Sequence, residues 1–432
     1  MKVKQIYDIL NSMCMDILGQ PHIIGSDNIV YKSPADLPSG VTEKSKTWIV
    51  NEDLSNVVDI GKTIFDATSV DNYVNKLINH IGRVVFIDRV YSPVVASIMK
   101  ASWEYGSIFE KIDCDMPESE KNPKWELKNG QEYKQDTFKS PDNVRAKFFN
   151  NAVTFQISMS FTEDQVKESF SSAAQLNSFF SMIQTKISNR MNIDYANLIR
   201  STINAFILAT LYKDFNGVYT EATGKFTWGE NSYIRSVNLL AKYRDEGFDP
   251  DKKLTPESCI KNLDFIKFAA YTIGRYTDYV RDMSTLFNIG GKERFTPSDL
   301  QHLILHADFK KAADVYLQSD TFHNEFVKMP NAESINYWQG TGSDYGIDQT
   351  GRIHATIKAT ADGTNYENKE IDTDGAIILG CLFDNDALGV NNEKNKTTSH
   401  YNANGDFINN FYKSFARYFN DHDENFVVFF VA

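Results

Sequence analysis

Between residues 153 and 211 the chain changes its hydrophobic period once. Val153, Phe155, Ile157, Met159 and Phe161 alternate with mostly polar residues, the two-residue repeat of a half-buried strand. Apolar side chains then recur at helical spacing, at Val166, Phe170, Ala173, Leu176, Phe180, Ile183 and Ile187, and no Gly or Pro intervenes before Leu211. This predicts a strand running into one long helix, or two with a bend. Thr162 is the expected N-cap, Gln165 completes a capping box, and Glu163 and Asp164 sit at the positive end of the helix dipole. Phe170, Phe180 and Ile183 are expected to face the core.

Upstream lies a polar excursion, MPESEKNPKWELKNGQEYKQDTFKSP, at residues 116–141. Its charges are balanced and it has no hydrophobic period, so it builds no core of its own. The flanking segments WEYGSIFEKIDC and VRAKFFNNAVTFQISMSF read as two strands of a long hairpin with the excursion at its tip. Residues 103–150 are expected to leave their own subunit's core and lie across a neighbour. Trp125, Tyr133 and Phe138 would be the anchors, aromatics being enriched in interface hot spots.

The rest mixes helices and strands. A helix is expected at 231–245, and NLDFIKFAAYTIGRYTDYVRDM and KKAADVYLQSDTFHNEF read as further helices. LQHLILHADF, INYW, RIHATIK, AIILGCLF and NFVVFFVA read as strands, and GVNNEKNKTTSHYNANGD as exposed. The fold class is therefore α+β. Phe407, Phe411, Phe415 and Phe419 recur at helical spacing and are most simply core.

A net charge of −12 argues against tight, sequence-independent binding to duplex DNA, which needs clustered Lys and Arg. The apolar runs are too short to span a bilayer, and the N-terminus lacks the pattern of a secretory signal. Four cysteines without paired spacing fit reduced thiols better than disulfides or a zinc site.

Candidate chemistry is weak everywhere. His302 and His306 would suit a metal pair on a helix, but their segment reads as a strand, separating them by roughly 13 Å. Asn288-Ile289-Gly290-Gly291-Lys292 lacks the first glycine and the trailing Ser/Thr of a phosphate loop. Asp384-Asn385-Asp386 has no further oxygen ligands at calcium-loop spacing. The sequence implies no catalytic, metal or cofactor-binding residues. That favours a structural or binding role over an enzyme built around Asp308, Asp384 and His306.

Arrangement and residues together resemble the major capsid proteins of tailed bacteriophages, the Johnson (Hong Kong 97-type) fold, and more specifically those of small short-tailed phages infecting Bacillus. The stretches carrying the likeness are NKLINHIGRVVFIDRV, EDQVKESFSSAAQLNSFFSMIQTKISNRMNIDYANLI, LQHLILHADFKKAADVYLQSDTFHNEF, and the pairing of GAIILGCLFDNDALGV with FYKSFARYFNDHDENFVVFFV. It extends over most of residues 70–432.

The resemblance implies an N-terminal arm at 1–73 and an extended loop at 103–143. A peripheral domain with its spine helix would comprise 74–102, 144–255 and 400–432, and an axial domain 256–399. It implies self-assembly through hexamers and pentamers into an icosahedral shell. Double-stranded DNA would lie inside without specific binding, a scaffolding protein and a portal would be partners, and no membrane would be involved. The product would be a virion component assembled in the host cytoplasm. In that family Phe407–Phe419 is usually a strand, against the helical spacing. The alternative reading is another virion part, such as a portal, connector or tail component.

Overall fold

The computed structural model describes residues 23–24, 30–31, 89–90, 96–100, 109–114, 116–117, 119, 126–130, 144–162, 173–319, 332–338, 351–405 and 407–432. Two compact units, Met1–Ile87 and Asp88–Ala432, divide the chain. In the first, β1 (Ile23–Ile24) and β2 (Val30–Tyr31) pair as a short antiparallel ladder.

The first elements described in the second unit are a 3-10 turn (Ala96–Ile98), β3 (Phe109–Asp113), β4 (Arg145–Phe149), β5 (Asn151–Thr162) and the helix α1 (Ala173–Phe215). Three short strands follow, β6 (Tyr219–Thr220), β7 (Lys225–Phe226) and β8 (Ser236–Asn238). Next come α2 (Leu239–Asp245), α3 (Pro256–Cys259), α4 (Leu263–Tyr279), β9 (Gln301–His306) and α5 (Ala307–Ser319). The remaining elements are β10 (Glu333–Ile335), β11 (His354–Ala359), β12 (Glu367–Asp372), β13 (Ile377–Asp384), β14 (Leu388–Asn402), β15 (Phe407–Asn420) and β16 (Phe426–Val431).

A five-stranded sheet in the order β10-β9-β13-β16-β8 forms the centre. Its strands are apolar on both faces, so both must be covered. Along β16, Phe426, Val428 and Phe430 join a core with α1, whereas Val427, Phe429 and Val431 join a second core with α2 and α4. β9 divides likewise, Ile304 to the first and Leu303 and Leu305 to the second. A bulge between Ile378 and Gly380 adjusts β13. There the strands approach closely, for a Cβ at Gly380 would stand 2.4 Å from the Ile304 carbonyl oxygen.

The 43-residue α1 is roughly 65 Å long at 1.5 Å per residue. Its C-terminal half is enclosed, with Ile199, Ile203, Phe206, Ile207, Leu211 and Phe215 almost fully buried. It packs against β5, β11, β14, β15 and β16. β14, β15 and β5 form a long antiparallel sheet, whose helix-facing side carries Phe155 against Tyr195, as the alternation predicted.

Two expectations are corrected. The aromatics at 407–419 lie on a strand. A spacing of four is even, so those side chains share one face of a strand as readily as of a helix. The helix expected over 231–245 begins only at Leu239, because Ser236–Asn238 pair with β16. The boundary expected between 399 and 400 falls inside β14, and β16 lies between β13 and β8 of one sheet. The apolar residues of β16 need cover on both faces, which only the sheet centre provides.

Candidate functional site

The hairpin expected around the polar excursion is present at its base. β3 and β4 pair antiparallel, with Phe109 opposite Phe149, Lys111 opposite Lys147 and Asp113 opposite Arg145. Residues opposite one another share a face, so these six point one way while Glu110, Ile112, Ala146 and Phe148 point the other.

The first face is docked on the same chain. Phe109 and Phe149 sit with ring centroids 5.0 and 5.4 Å from Phe419 of β15. Next to them is the turn joining β15 to β16. Lys111 Nζ lies 2.8 Å from Asp421 Oδ2 and 2.5 Å from Glu424 Oε1. Lys147 Nζ lies 2.9 Å from Asp421 Oδ1 and also pairs with Asp423. Arg294 ties Asp113 to Glu424, its Nε 3.3 Å from Glu424 Oε2.

Asp421 is the hub, its side chain 2% exposed. Burial pushes its carboxyl up, but Lys111 and Lys147 outweigh burial and hold it below the usual carboxylate range. Burial likewise pulls the Lys111 ammonium down, and Asp421 and Glu424 more than restore it. At Glu424 burial prevails over Lys111 and Arg294, and its carboxyl stays above the usual range. Burial holds His422 down at about 4, so the imidazole is neutral at pH 7. Such a network fixes register and orientation more than it adds net stability.

The outward face is open, with Ile112 67% and Phe148 63% exposed. The hairpin base is thus anchored to its own subunit, which corrects the expectation that all of 103–150 leaves that subunit's core. The reason is the alternation: one face carries Phe, Lys and Asp matched to this chain's own turn.

The anticipated anchors Trp125, Tyr133 and Phe138, and Phe170 of the helix, lie outside the described residues. Thr162 ends β5 opposite Phe407, and residues 163–165, which it would cap, lie outside the described residues. Phe180 is on α1, with its side chain outside the described set. Ile183 is only half-buried. Among the described side chains of α1, full burial is found at Ile187 and then from Tyr195 onward.

Asp308, Asp384 and His306 do not converge. Asp384 pairs with Gln301 at the opposite end of β9 from His306, and Asp308 is 3.9 Å from His306 on the open side. Asn288 closes a turn through bonds of 2.7 Å with the backbone of Lys292. Among the described residues no three His, Cys, Asp or Glu are grouped to hold a metal, and no helix is long and apolar enough to cross a membrane. The ion network was missed in sequence. Its signal was FNDHDENF, three acids in a turn before a wholly apolar strand, where burial demands cationic partners.

Residues 37–430 match the family model described as Phi29-like phage major capsid protein. No curated protein matches. Among solved structures, the capsid of Staphylococcus phage Andhra is 10% identical with a TM-score of 0.49, over 81% of this chain and 87% of that one. The capsid of cyanophage P-SCSP1u is 9% identical with a TM-score of 0.44, over 81% and 91%. The family match outweighs both likenesses, because it spans nearly the whole length of the chain.

Proposed function

Since the chain belongs to the Phi29-like phage major capsid protein family, we propose that it builds the icosahedral shell around a double-stranded DNA genome. It is a shell-forming major capsid protein, a structural component of the virion that associates with copies of itself. The observation that carries the reading is the family match over nearly the whole chain.

The detail is our own. In Johnson-fold terms, α1 with the β14-β15-β5 sheet corresponds to the spine helix and peripheral domain. The five-stranded sheet with α2–α5 corresponds to the axial domain, and β16 belongs with it. Residues 103–143 are the extended loop, with Trp125, Tyr133 and Phe138 reaching a neighbour; the hairpin base formed with Arg145–Phe149 is anchored on its own subunit and offers Ile112 and Phe148 outward. Thr162 caps the spine helix, and Phe170, Phe180 and Ile183 lie on the side of it that faces the peripheral-domain core. Hexamers and pentamers form in the host cytoplasm with a scaffolding protein and a portal. A chain of net charge −12 leaves the packaged genome free to move.

Expression of the full chain, with electron microscopy of the product, tests this. Shells, sheets or capsomers are expected. A single closed ring of fixed size would point instead to a portal or connector, and a strict monomer under all conditions would overturn the assignment.

A further inference from the structure

A cleft of about 830 Å³ opens between α1, the start of β5, β11 and the 420–422 turn. Arg200 lies in its lining and is 5% exposed. A buried guanidinium is ordinarily met by a carboxylate, because an unpaired charge in a low-dielectric site is costly. Among the described residues no carboxylate reaches Arg200. Its Nη1 is 3.3 Å from Asn197 Oδ1 and its guanidinium stacks 4.4 Å from the Tyr337 ring centroid. Its Nε is buried without an acceptor.

Two amide oxygens in the same lining are also unmet. Asn204 Oδ1 and Asn420 Oδ1 are buried and accept no hydrogen bond. Their orientation is fixed, since Asn204 Nδ2 donates to Trp338 O at 2.6 Å and Asn420 Nδ2 to Thr202 O at 3.1 Å. Lys358 is exposed at the rim. The one acid among the described lining residues, Asp421, is already shared by Lys111 and Lys147. The cleft therefore presents a cation that lacks an oxyanion beside two acceptors that lack donors. A simple oxyanion satisfies only the first. An acidic peptide satisfies both, with a side-chain carboxylate for Arg200 and backbone N–H groups for the two asparagines.

We propose that this cleft is the docking site for an acidic peptide segment of a second copy of this chain. In a shell the nearest polypeptides are copies, and with 57 acidic against 45 basic side chains each copy has carboxylates to spare. The inference rests on the shell-protein reading. Assembly of the wild type tests that reading, and the difference between wild type and variant tests this one.

The experiment compares full-length wild type, Arg200→Gln and Arg200→Lys by thermal melting and by the critical concentration for assembly. Arg200→Gln is expected to melt at or above the wild-type temperature and to raise the critical concentration about ten-fold, the scale of one lost charge-assisted hydrogen bond. Arg200→Lys falls between. An unchanged critical concentration in Arg200→Gln overturns the proposal. Should that variant fail to fold, wild-type assembly is challenged with N-acetyl-tetraglutamate amide against sodium chloride of equal ionic strength. The peptide must inhibit more than the salt, and an equal effect, or an equal effect of inorganic phosphate, overturns it. Calorimetric binding of the same peptide to isolated subunits, lost in Arg200→Gln, is read whether or not shells form. Binding without any assembly defect in the variant would assign the segment to a different protein and remove the second copy from the proposal.

Discussion

Every side chain of β16 is buried, odd and even alike. In β3 only alternate residues turn inward, and the others stand in solvent. The two strands pack next to neighbouring parts of the same turn, yet by different chemistry. β16 is fixed by non-directional apolar burial from two helix layers, which scales with area and is not weakened by charge screening. The hairpin base is fixed by three aromatic rings and by charges whose geometry must match. The first arrangement supplies stability. The second supplies position.

The largest effect expected from this contrast is in the sheet. Phe430→Ala removes a fully buried ring packed on Phe215 and Trp228 and is expected to cost about 3–5 kcal/mol. The cost, read as a shift of the denaturant midpoint, should be the same in low and high salt. A strong salt dependence would break the comparison at once.

Asp421→Asn should come next, at about 2–3 kcal/mol, since it strips two lysines of their shared carboxylate. Limited proteolysis should then cut within 103–150 while the sheet stays protected. Loss of protection throughout would mean the network supports the whole unit and not the hairpin alone.

The pH profile sharpens the difference further. Asp421 is held below its ordinary range, so its contribution is complete above the unfolded value of about 3.9 and is lost as pH falls through the folded one. His422, held at about 4, is protonated more readily unfolded, so stability should decline from about pH 6.5 towards pH 4. Melting curves of His422→Gln should lack that decline, and an unchanged slope would reject the assignment. Glu424 runs the other way. Its raised carboxyl favours the folded state at low pH and loses that contribution as pH rises, so Glu424→Gln should cost less at pH 7 than Asp421→Asn.

The smallest effect is local. Asn238 caps α2, its side chain accepting from Ala241 N at 3.2 Å, and Asn238→Ala should lower stability by about 1 kcal/mol. A change within error would show that sheet burial alone fixes the start of α2.

Much of the sheet side of this contrast was legible in the sequence. NFVVFFVA, AIILGCLF and LQHLILHADF declare strands because apolar runs of that length, bounded by polar residues, fit little else. The alternation of Val153, Phe155, Ile157 and Met159 correctly gave the helix-facing side of β5. The network was not legible. Lys111 and Asp421 are 310 positions apart, and a local window shows only a charged residue that could as well face water. Phe407–Phe419 failed for a different reason, because a four-residue spacing satisfies both periods. Ile183, expected on the core face, is only half-buried, because periodicity reports which residues share a face and not where along a helix that face becomes covered. Arg200 was invisible for the same reason.

The position of β16 also has a consequence for synthesis. Of the five strands in its sheet it is made last, yet it lies between β13 and β8, and its partner Ser236 precedes Val428 by 192 positions, the difference of the two numbers. While the ribosome works through the intervening residues, β8 and β13 each wait with an unpaired edge and an uncovered apolar face. Such long-range closure is slow, and waiting edges invite pairing with other chains. The nascent subunit therefore passes through a window in which it can stick but cannot yet assemble correctly, and overexpression at high temperature should increase the share of chains lost in it.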